Sequence, residues 1–287
     1  MTDIRTNYLD LADGNRIPQE GFGVYKLTDP DQFKEAIHTA YECGYRLFDT
    51  AQMYGNEAEL GAALKELGAA RDDYFVTTKV SEANQGYEKA IDSVKQSLKR
   101  LQLDYVDLLL VHWPIHTHFF ETWRAFEEMK KEGLTKSIGV SNFGMAHLQL
   151  LATQADEMPV LDQLECHPRL TEKPMIKYNQ EHHIVTQAWA PLGRTTVFDL
   201  PELKALAEKH HKSVAQIILR WHLQNGISFI PKSAHPQRVK ENADIYDFSL
   251  SPEEMQAIDN LNHNKRISQE PEMVYEFGQQ YPHHFKD

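Results

Sequence analysis

Four residues of types that can move protons stand at or near the ends of three apolar segments in the first half of the chain. Asp49 lies in YRLFDT (45–50), Lys79 in YFVTTKV (74–80) and His112 in VDLLLVHW (106–113), while Tyr54 follows Asp49 by five positions. A phenol with a pKa near ~10 is a poor acid at neutral pH, but a neighbouring ammonium lowers that pKa by stabilising the phenolate, and a carboxylate beside the ammonium fixes its charge and position. Asp49, Lys79 and Tyr54 therefore form a candidate relay with Tyr54 as proton donor. A ring N–H from His112 would orient a carbonyl oxygen and stabilise charge developing on it. Taken singly, each residue has an ordinary structural role: helix N-cap, strand-end charge, half-buried aromatic, satisfied core histidine. Their arrival at successive strand ends argues for chemistry. A competing use of Lys79, as a Schiff-base nucleophile, needs a depressed pKa, whereas an adjacent Asp49 is expected to raise it.

Such a constellation needs a scaffold that brings neighbouring strand ends to one point. Short apolar segments alternate with helical ones along almost the whole chain, the pattern of βα units and a parallel sheet. Eight candidate strands can be read: 21–25, 45–50, 74–80, 106–113, 137–142, 160–166, 184–190 and 227–233. Several are near-continuous apolar runs, as expected where both faces are buried. The expected fold is an α/β class (β/α)₈ TIM barrel forming a single domain over residues 1–287, with its working residues at the C-terminal strand ends. Asp13-Gly14, between short alternating segments at 8–19, predicts an N-terminal β-hairpin that closes the barrel bottom. Helical segments stop at Gly44 and Gly68, and the run between the last two strands, with Ser213 as an N-cap, holds more helix than one crossover needs. One helix is expected outside the barrel. An open doubly wound sheet is the alternative, but GFGVYK lacks the third glycine and the spacing of GxGxxG.

Bulk properties set the remaining bounds. A chain of 287 residues is close to the ~250 typical of one such barrel, and no apolar run approaches the ~20 residues that span a bilayer. With 30 basic and 42 acidic residues the formal charge is −12, which argues against broad nucleic-acid binding and requires a local cationic pocket for any anionic ligand. No membrane or nucleic-acid partner is expected. The N-terminal stretch lacks a basic flank followed by an apolar core, and Cys43 and Cys166 suggest small buried side chains rather than a disulfide, so a cytoplasmic location is expected. His116 and His118, and the pairs at 182–183 and 210–211, lack the spacing of a zinc site; no metal is expected.

Taken in order, FDTAQMYGNE (48–57), VTTK (76–79), LLLVHWP (108–114), SIGVSNF (137–143), DQLECHP (162–168), WAPLG (189–193), IPKS (230–233) and RVKEN (238–242) give the chain a plain resemblance to the aldo-keto reductase superfamily, over nearly its whole length. It is most similar to the bacterial 2,5-diketo-D-gluconate reductase-like group. The resemblance implies that Asp49, Tyr54, Lys79 and His112 are a catalytic tetrad and that the cofactor is NADPH. It implies that Ser141, Asn142 and Gln163 hold the nicotinamide carboxamide, that Trp189 stacks on the ring with Leu192 nearby, that Lys232, Ser233 and Arg238 bind the 2′-phosphate, and that Asn242 meets the adenine. Two cations and a hydroxyl suit that phosphate, with bonds that a plain 2′-hydroxyl could not return.

Tyr25, His112 and Trp113 are implied as substrate contacts. Many relatives carry a tryptophan two residues after the lysine, where this chain has Ser81. The implied substrates are small aldehydes, α-ketoesters, dicarbonyls such as methylglyoxal, or diketo sugar acids, and the implied state is a monomer, with a dimer as the alternative. The segment after Lys265 matches no pattern, although in this family the tail helps shape the pocket. A second reading of different class is an NADPH-binding sensor or interaction subunit without turnover, against which the intact tetrad argues.

Overall fold

The Asp-Gly tip forms the expected hairpin: β1 (Tyr8–Asp10) pairs antiparallel with β2 (Arg16–Pro18), Leu9 opposite Ile17, and Gly14 takes a left-handed φ of 85°. The computed structural model describes residues 3–271 and Val274. Beyond the hairpin, eight parallel strands follow one another around a barrel: β3 (Gly21–Gly23), β4 (Leu47–Asp49), β5 (Phe75–Val80), β6 (Val106–Val111), β7 (Thr135–Ser141), β8 (Leu161–Glu165), β9 (Val185–Trp189) and β10 (Ser228–Phe229). Each pairs with its sequence neighbour. Closure is made by a parallel bridge between Glu20 and Phe229, with Phe229 N–H donating to Gln19 O at 3.0 Å and Gly23 N–H to Pro231 O at 3.1 Å.

Inside, Leu47, Leu108, Leu110, Leu161 and Ile230 fill the barrel, and Leu11 and Ile17 of the hairpin plug its floor. The interior has no room to spare. A Cβ on Gly21 would stand 2.5 Å from Leu47 Cδ2, and one on Gly139 2.6 Å from the Leu161 carbonyl oxygen. Outside lie α1 (Pro30–Glu42), α2 (Glu57–Glu66), α3 (Tyr87–Leu101), α4 (Phe119–Lys131), α5 (Met145–Leu151), α6 (Lys173–Glu181), α7 (Pro201–His210), α8 (Val214–Gln224), α9 (Pro236–Ala243) and α10 (Pro252–Asp259). Gly44 and Gly68 follow α1 and α2 with positive φ, and Ser213 caps α8 in a reciprocal capping box with Gln216. Two helices separate β9 from β10. Of these, α8 packs on β10 and α7 packs on α8 and α10, so α7 is the supernumerary one.

Seven of the eight strands are shorter than expected, and for β10 and β3 the cause is local. β10 covers only part of 227–233, because Pro231 has no N–H to donate and the last pairing is Ile230 N–H to Ala188 O. β3 stops at Gly23, where the chain turns through Lys26 with φ 60°, so Tyr25 stands on the turn beyond the strand. Cys166 is buried, whereas Cys43, the C-cap of α1, is only half-buried.

Glu20 sits on the closing seam, buried, with Oε2 accepting from the Tyr246 hydroxyl at 3.4 Å. Burial raises its pKa from 4.5 to about 8. The unfolded chain therefore ionises Glu20 well before the folded one does, and stability falls between those two pH values, by at most about 1.4 kcal/mol per pH unit. Glu20→Gln abolishes this term. Its melting temperature should gain on the wild type steadily from pH 5 to pH 8 and level off above; a gap that stays constant with pH, measured calorimetrically, would refute the assignment.

Candidate active site

The tetrad converges because β4, β5 and β6 are consecutive in the barrel and end at one mouth. Lys79 and Asp49 are fully buried and form an ion pair at 2.5 Å. The Lys79 ammonium also donates to the Thr50 carbonyl at 2.9 Å and to the Tyr54 hydroxyl oxygen at 3.4 Å. All three of its hydrogens thus have acceptors, so these contacts hold the ammonium rather than the free amine that a Schiff base needs. Tyr54 reaches this position from a single 3₁₀ turn, Gln52–Tyr54, ended by Gly55 at φ 68°. Gln52 pins the turn: its Oε1 accepts from Ser81 N–H and Asn84, and its amide donates to Ser93 and Ser97.

Two electrostatic expectations are corrected. Burial pulls Lys79 below its usual range and outweighs the raising effect of Asp49, and it lifts Asp49 above the usual carboxylate range against the pull of Lys79. Tyr54 lies well above its ordinary value, first from burial and then from the Asp49 charge, rather than being lowered by the ammonium. The side chain as a whole is only half-buried, but its hydroxyl lies at the cavity floor beside Asp49 and Lys79, where desolvation dominates. The resting phenol is firmly protonated, and the ammonium is placed to stabilise the phenolate only as the proton leaves.

His112 follows β6, its N–H bonded to Val80 O at 3.2 Å. Burial and then the Lys79 charge hold its pKa well below the usual imidazole value. Its Nδ1 is buried with no partner among the described residues, so an imidazolium would add an unsatisfied buried N–H there. The neutral ring stands edge-on to Tyr54, centroids 5.8 Å apart, with Tyr25 on the other side of the phenol at 4.9 Å.

One cavity of about 320 Å³ is lined by Tyr54, His112 and Asp49 of the tetrad and by Ser141, Asn142, Gln163, Trp189, Leu192, Lys232, Tyr25 and Trp113. Its polar wall is internally braced. Gln163 donates both amide hydrogens, to Asp49 Oδ2 at 2.8 Å and to Gln187 Oε1 at 2.6 Å, and Gln187 passes the chain on to Ser228 at 2.8 Å. The Gln163 carbonyl end is left for the cavity. Asn142, at φ 63°, donates to His112 O and accepts from Trp189 Nε1 at 2.9 Å, which holds the indole in place, while Ser141 bonds to Gln163 O. Ser233, Arg238 and Asn242 do not line this cavity. Ser233 accepts from His235 N–H just before α9, and Arg238, exposed, and Asn242, buried, stand on that helix, which follows β10, a strand separated from β4 of Asp49 by β3.

Sequence reasoning missed Lys26, Met53, Arg194, Thr195 and Ser268, all on the cavity wall. Lys26 had a signal, as the cation next to Tyr25; its charge, after burial, holds Lys232 below the usual lysine range. Arg194 sits near Tyr25, 5.9 Å from the ring centre, in a turn where Ala190, Gly193, Arg194 and Thr195 all have positive φ. Of the segment after Lys265, residues 266–271 and Val274 are described; the remainder lies outside the described residues.

The sequence pattern of the aldo/keto reductase family matches residues 21–263. The chain is 45% identical over 262 residues to the glyoxal reductase of Bacillus subtilis (strain 168), covering 91% of this chain and 95% of that one. It is 42% identical over 268 residues to the methylglyoxal reductase DkgA of Escherichia coli (strain K12), covering 92% and 96%. Among solved structures, the aldo-keto reductase of Bombyx mori in complex with NADP superposes with a TM-score of 0.88 at 33% identity, over 94% of this chain and 96% of that one.

These electrostatics fix a pH profile. With His112 neutral well below pH 6.5 and Tyr54 protonated beyond pH 10, the rate of carbonyl reduction at saturating substrate and cofactor should be flat from about pH 6 to 9, with a limb only at more alkaline pH. A step near pH 6.5 in kcat would show that His112 titrates.

Proposed function

Starting from the chain's membership of the aldo/keto reductase family, whose pattern matches most of its length, we propose that Tyr54 is the general acid of its reaction, with His112 orienting the substrate carbonyl and Lys79–Asp49 charging the relay. The enzyme is an NADPH-dependent oxidoreductase that reduces carbonyl groups to alcohols. The observation that carries the assignment is the Lys79 ammonium, locked on Asp49 at 2.5 Å and aimed at the Tyr54 hydroxyl oxygen. As the proton passes from Tyr54 to the carbonyl oxygen, the ammonium meets a growing negative charge it was already facing, without reorganisation. The His112 ring, neutral and edge-on to the phenol, offers an N–H to the same oxygen. Microscopic reversibility makes Tyr54 the base in oxidation.

The donor set fits the cofactor. Gln163 presents a carbonyl that suits a carboxamide N–H, Ser141 and Asn142 stand beside it, and Trp189, tied to Asn142, offers a flat apolar wall next to Leu192. Lys26 and Lys232 both line the cavity, and burial and then the Lys26 charge depress Lys232, as for two cations gathered for an anion. Ser233, Arg238 and Asn242, at and beyond the end of β10, suit the adenosine 2′-phosphate and adenine. When bound, NADPH supplies the hydride.

The substrate stands against Tyr25, Trp113 and His112. We assign it to the small aldehydes and dicarbonyls, with α-ketoesters and diketo sugar acids in the same class, since the glyoxal and methylglyoxal reductases are relatives over nearly their whole length. Ser81, where many relatives hold tryptophan, leaves that side of the pocket without a bulky wall. The protein acts as one domain, as a monomer in the cytoplasm. In support, no described helix is long and apolar enough to cross a membrane, and Tyr8 and Leu150 are the only exposed large apolar side chains among the described residues.

Tyr54→Phe tests the reading. The variant should bind NADPH as the wild type does, by fluorescence titration, and lose about two to four orders of magnitude in kcat with methylglyoxal or 4-nitrobenzaldehyde. Wild-type rates in the variant would refute the assignment, and NADPH binding without turnover of any carbonyl by the wild type would favour a sensor. Arg238→Ala should weaken NADPH by about ten- to a hundredfold while leaving NADH affinity unchanged; an equal loss for both cofactors would place the 2′-phosphate elsewhere.

A further inference from the structure

Glu165 takes no part in the chemistry above, yet its carboxylate is buried at the mouth of the barrel. It ends β8 two residues beyond Gln163, hence on the same face of the strand, and lies in register with Trp189. Its oxygens accept from Ile267 N–H at 2.6 Å, Ser268 N–H at 3.2 Å, the Ser268 hydroxyl, and His167 Nε2 at 3.0 Å. Three of these four donors belong to the C-terminal segment. Burial alone would raise this carboxyl, but His167, Ser268 and the Ile267 N–H together hold it below its usual value, so the acceptor stays charged at neutral pH.

The same segment is also fastened just ahead of that point, and Arg266 braces it internally on Glu270. His263 and Lys265 N–H donate to Arg169 O at 3.1 and 3.0 Å, and Arg266 pairs with Glu172 and Glu270, each at 2.7 Å. Inside these ties, Ser268 lines the cavity, and further on Val274 packs, fully buried, with Trp113 and Ile115. Ser268 thus stands on the cavity wall, and Val274 stands against the indole that the substrate is read to touch.

We propose that Glu165 is a positioning residue that sets the outer wall of the substrate pocket, by clamping Ile267 and Ser268 against the barrel and so limiting the size of carbonyl compound that reaches Tyr54. This rests on the reading that the substrate lies between Tyr54 and Trp113. A buried carboxylate bound to two consecutive backbone N–H groups fixes both the height and the direction of the segment, which a surface ion pair such as Arg266–Glu270 does not. Removing it leaves those N–H groups without their acceptor and frees the wall, while the nicotinamide side of the cavity keeps its own bracing through Gln163, Gln187 and Asn142.

The test compares wild type, Glu165→Leu, Glu165→Gln and Ser268→Ala in the full chain, with methylglyoxal as the small substrate and a phenyl-bearing α-ketoester as the large one. In Glu165→Leu the ratio of kcat/KM for the large over the small substrate should rise about tenfold or more, chiefly through KM, with NADPH affinity unchanged. Hydrogen exchange at the 267 and 268 amides should quicken in parallel. Ser268→Ala should move the ratio the same way by less, and Glu165→Gln, which keeps an acceptor for Ile267, should retain most of the wild-type ratio. Should Glu165→Leu fail to fold, the other two variants decide. An unchanged ratio, or a loss shared equally by both substrates and by NADPH, overturns the proposal. A Tyr54→Phe variant that stayed active would instead refute the reading beneath it.

Discussion

A lysine ammonium with no exposure to solvent is the constraint around which this molecule is arranged. Moving such an ion out of water costs several kcal/mol, and a partner carboxylate repays this only if the remaining hydrogens and lone pairs are also satisfied. Here they are: Asp49 takes one hydrogen of Lys79, Thr50 O a second and the Tyr54 oxygen a third, while the other oxygen of Asp49 is met by Gln163. The pair is held by strands β4, β5 and β8, which meet only because the sheet is closed into a barrel. The fold is thus what keeps the charge in place, and the one ligand of Lys79 with a proton to give is the phenol that faces the cavity.

That arrangement separates electrostatically the two jobs proposed for the tetrad. Burial keeps Tyr54 protonated and His112 neutral, so both present donors to an oxygen in the resting state. The charge of Lys79 becomes useful only when the phenolate develops. The polar chain from Lys79 through Asp49, Gln163 and Gln187 to Ser228 carries this order across five strands of the interior, and fixes the wall beside which the nicotinamide is read to lie.

Residues whose roles depend on strand order were legible in the sequence. The βα alternation and the Asp13-Gly14 tip sufficed for the barrel and its floor, because hydrophobic period and turn chemistry are local. The convergence of Asp49, Tyr54, Lys79 and His112 was legible because they stand at or just past successive strand ends. Less accessible were quantities set by packing in three dimensions. The direction of the Lys79 and Tyr54 shifts depended on burial that no charge pattern reveals. Lys26 and Arg194 sit on turns with left-handed residues, where periodicity has nothing to report. Ser268 and Glu165 lie 103 positions apart, and only their contact in space shows that one anchors the other.

The seam between β3 and β10 carries a consequence for how the molecule is made. Every member of the tetrad has been synthesised by residue 112, but β10, Lys232 and α9 come more than a hundred residues later. The parallel bridge from Glu20 to Phe229 cannot form before then. The residues of the Tyr54 relay are therefore synthesised long before the groups suited to the 2′-phosphate, and the closing strand that completes the barrel both assembles the relay and brings those groups to the mouth. The proposed cofactor site is thus completed last, as a by-product of ring closure.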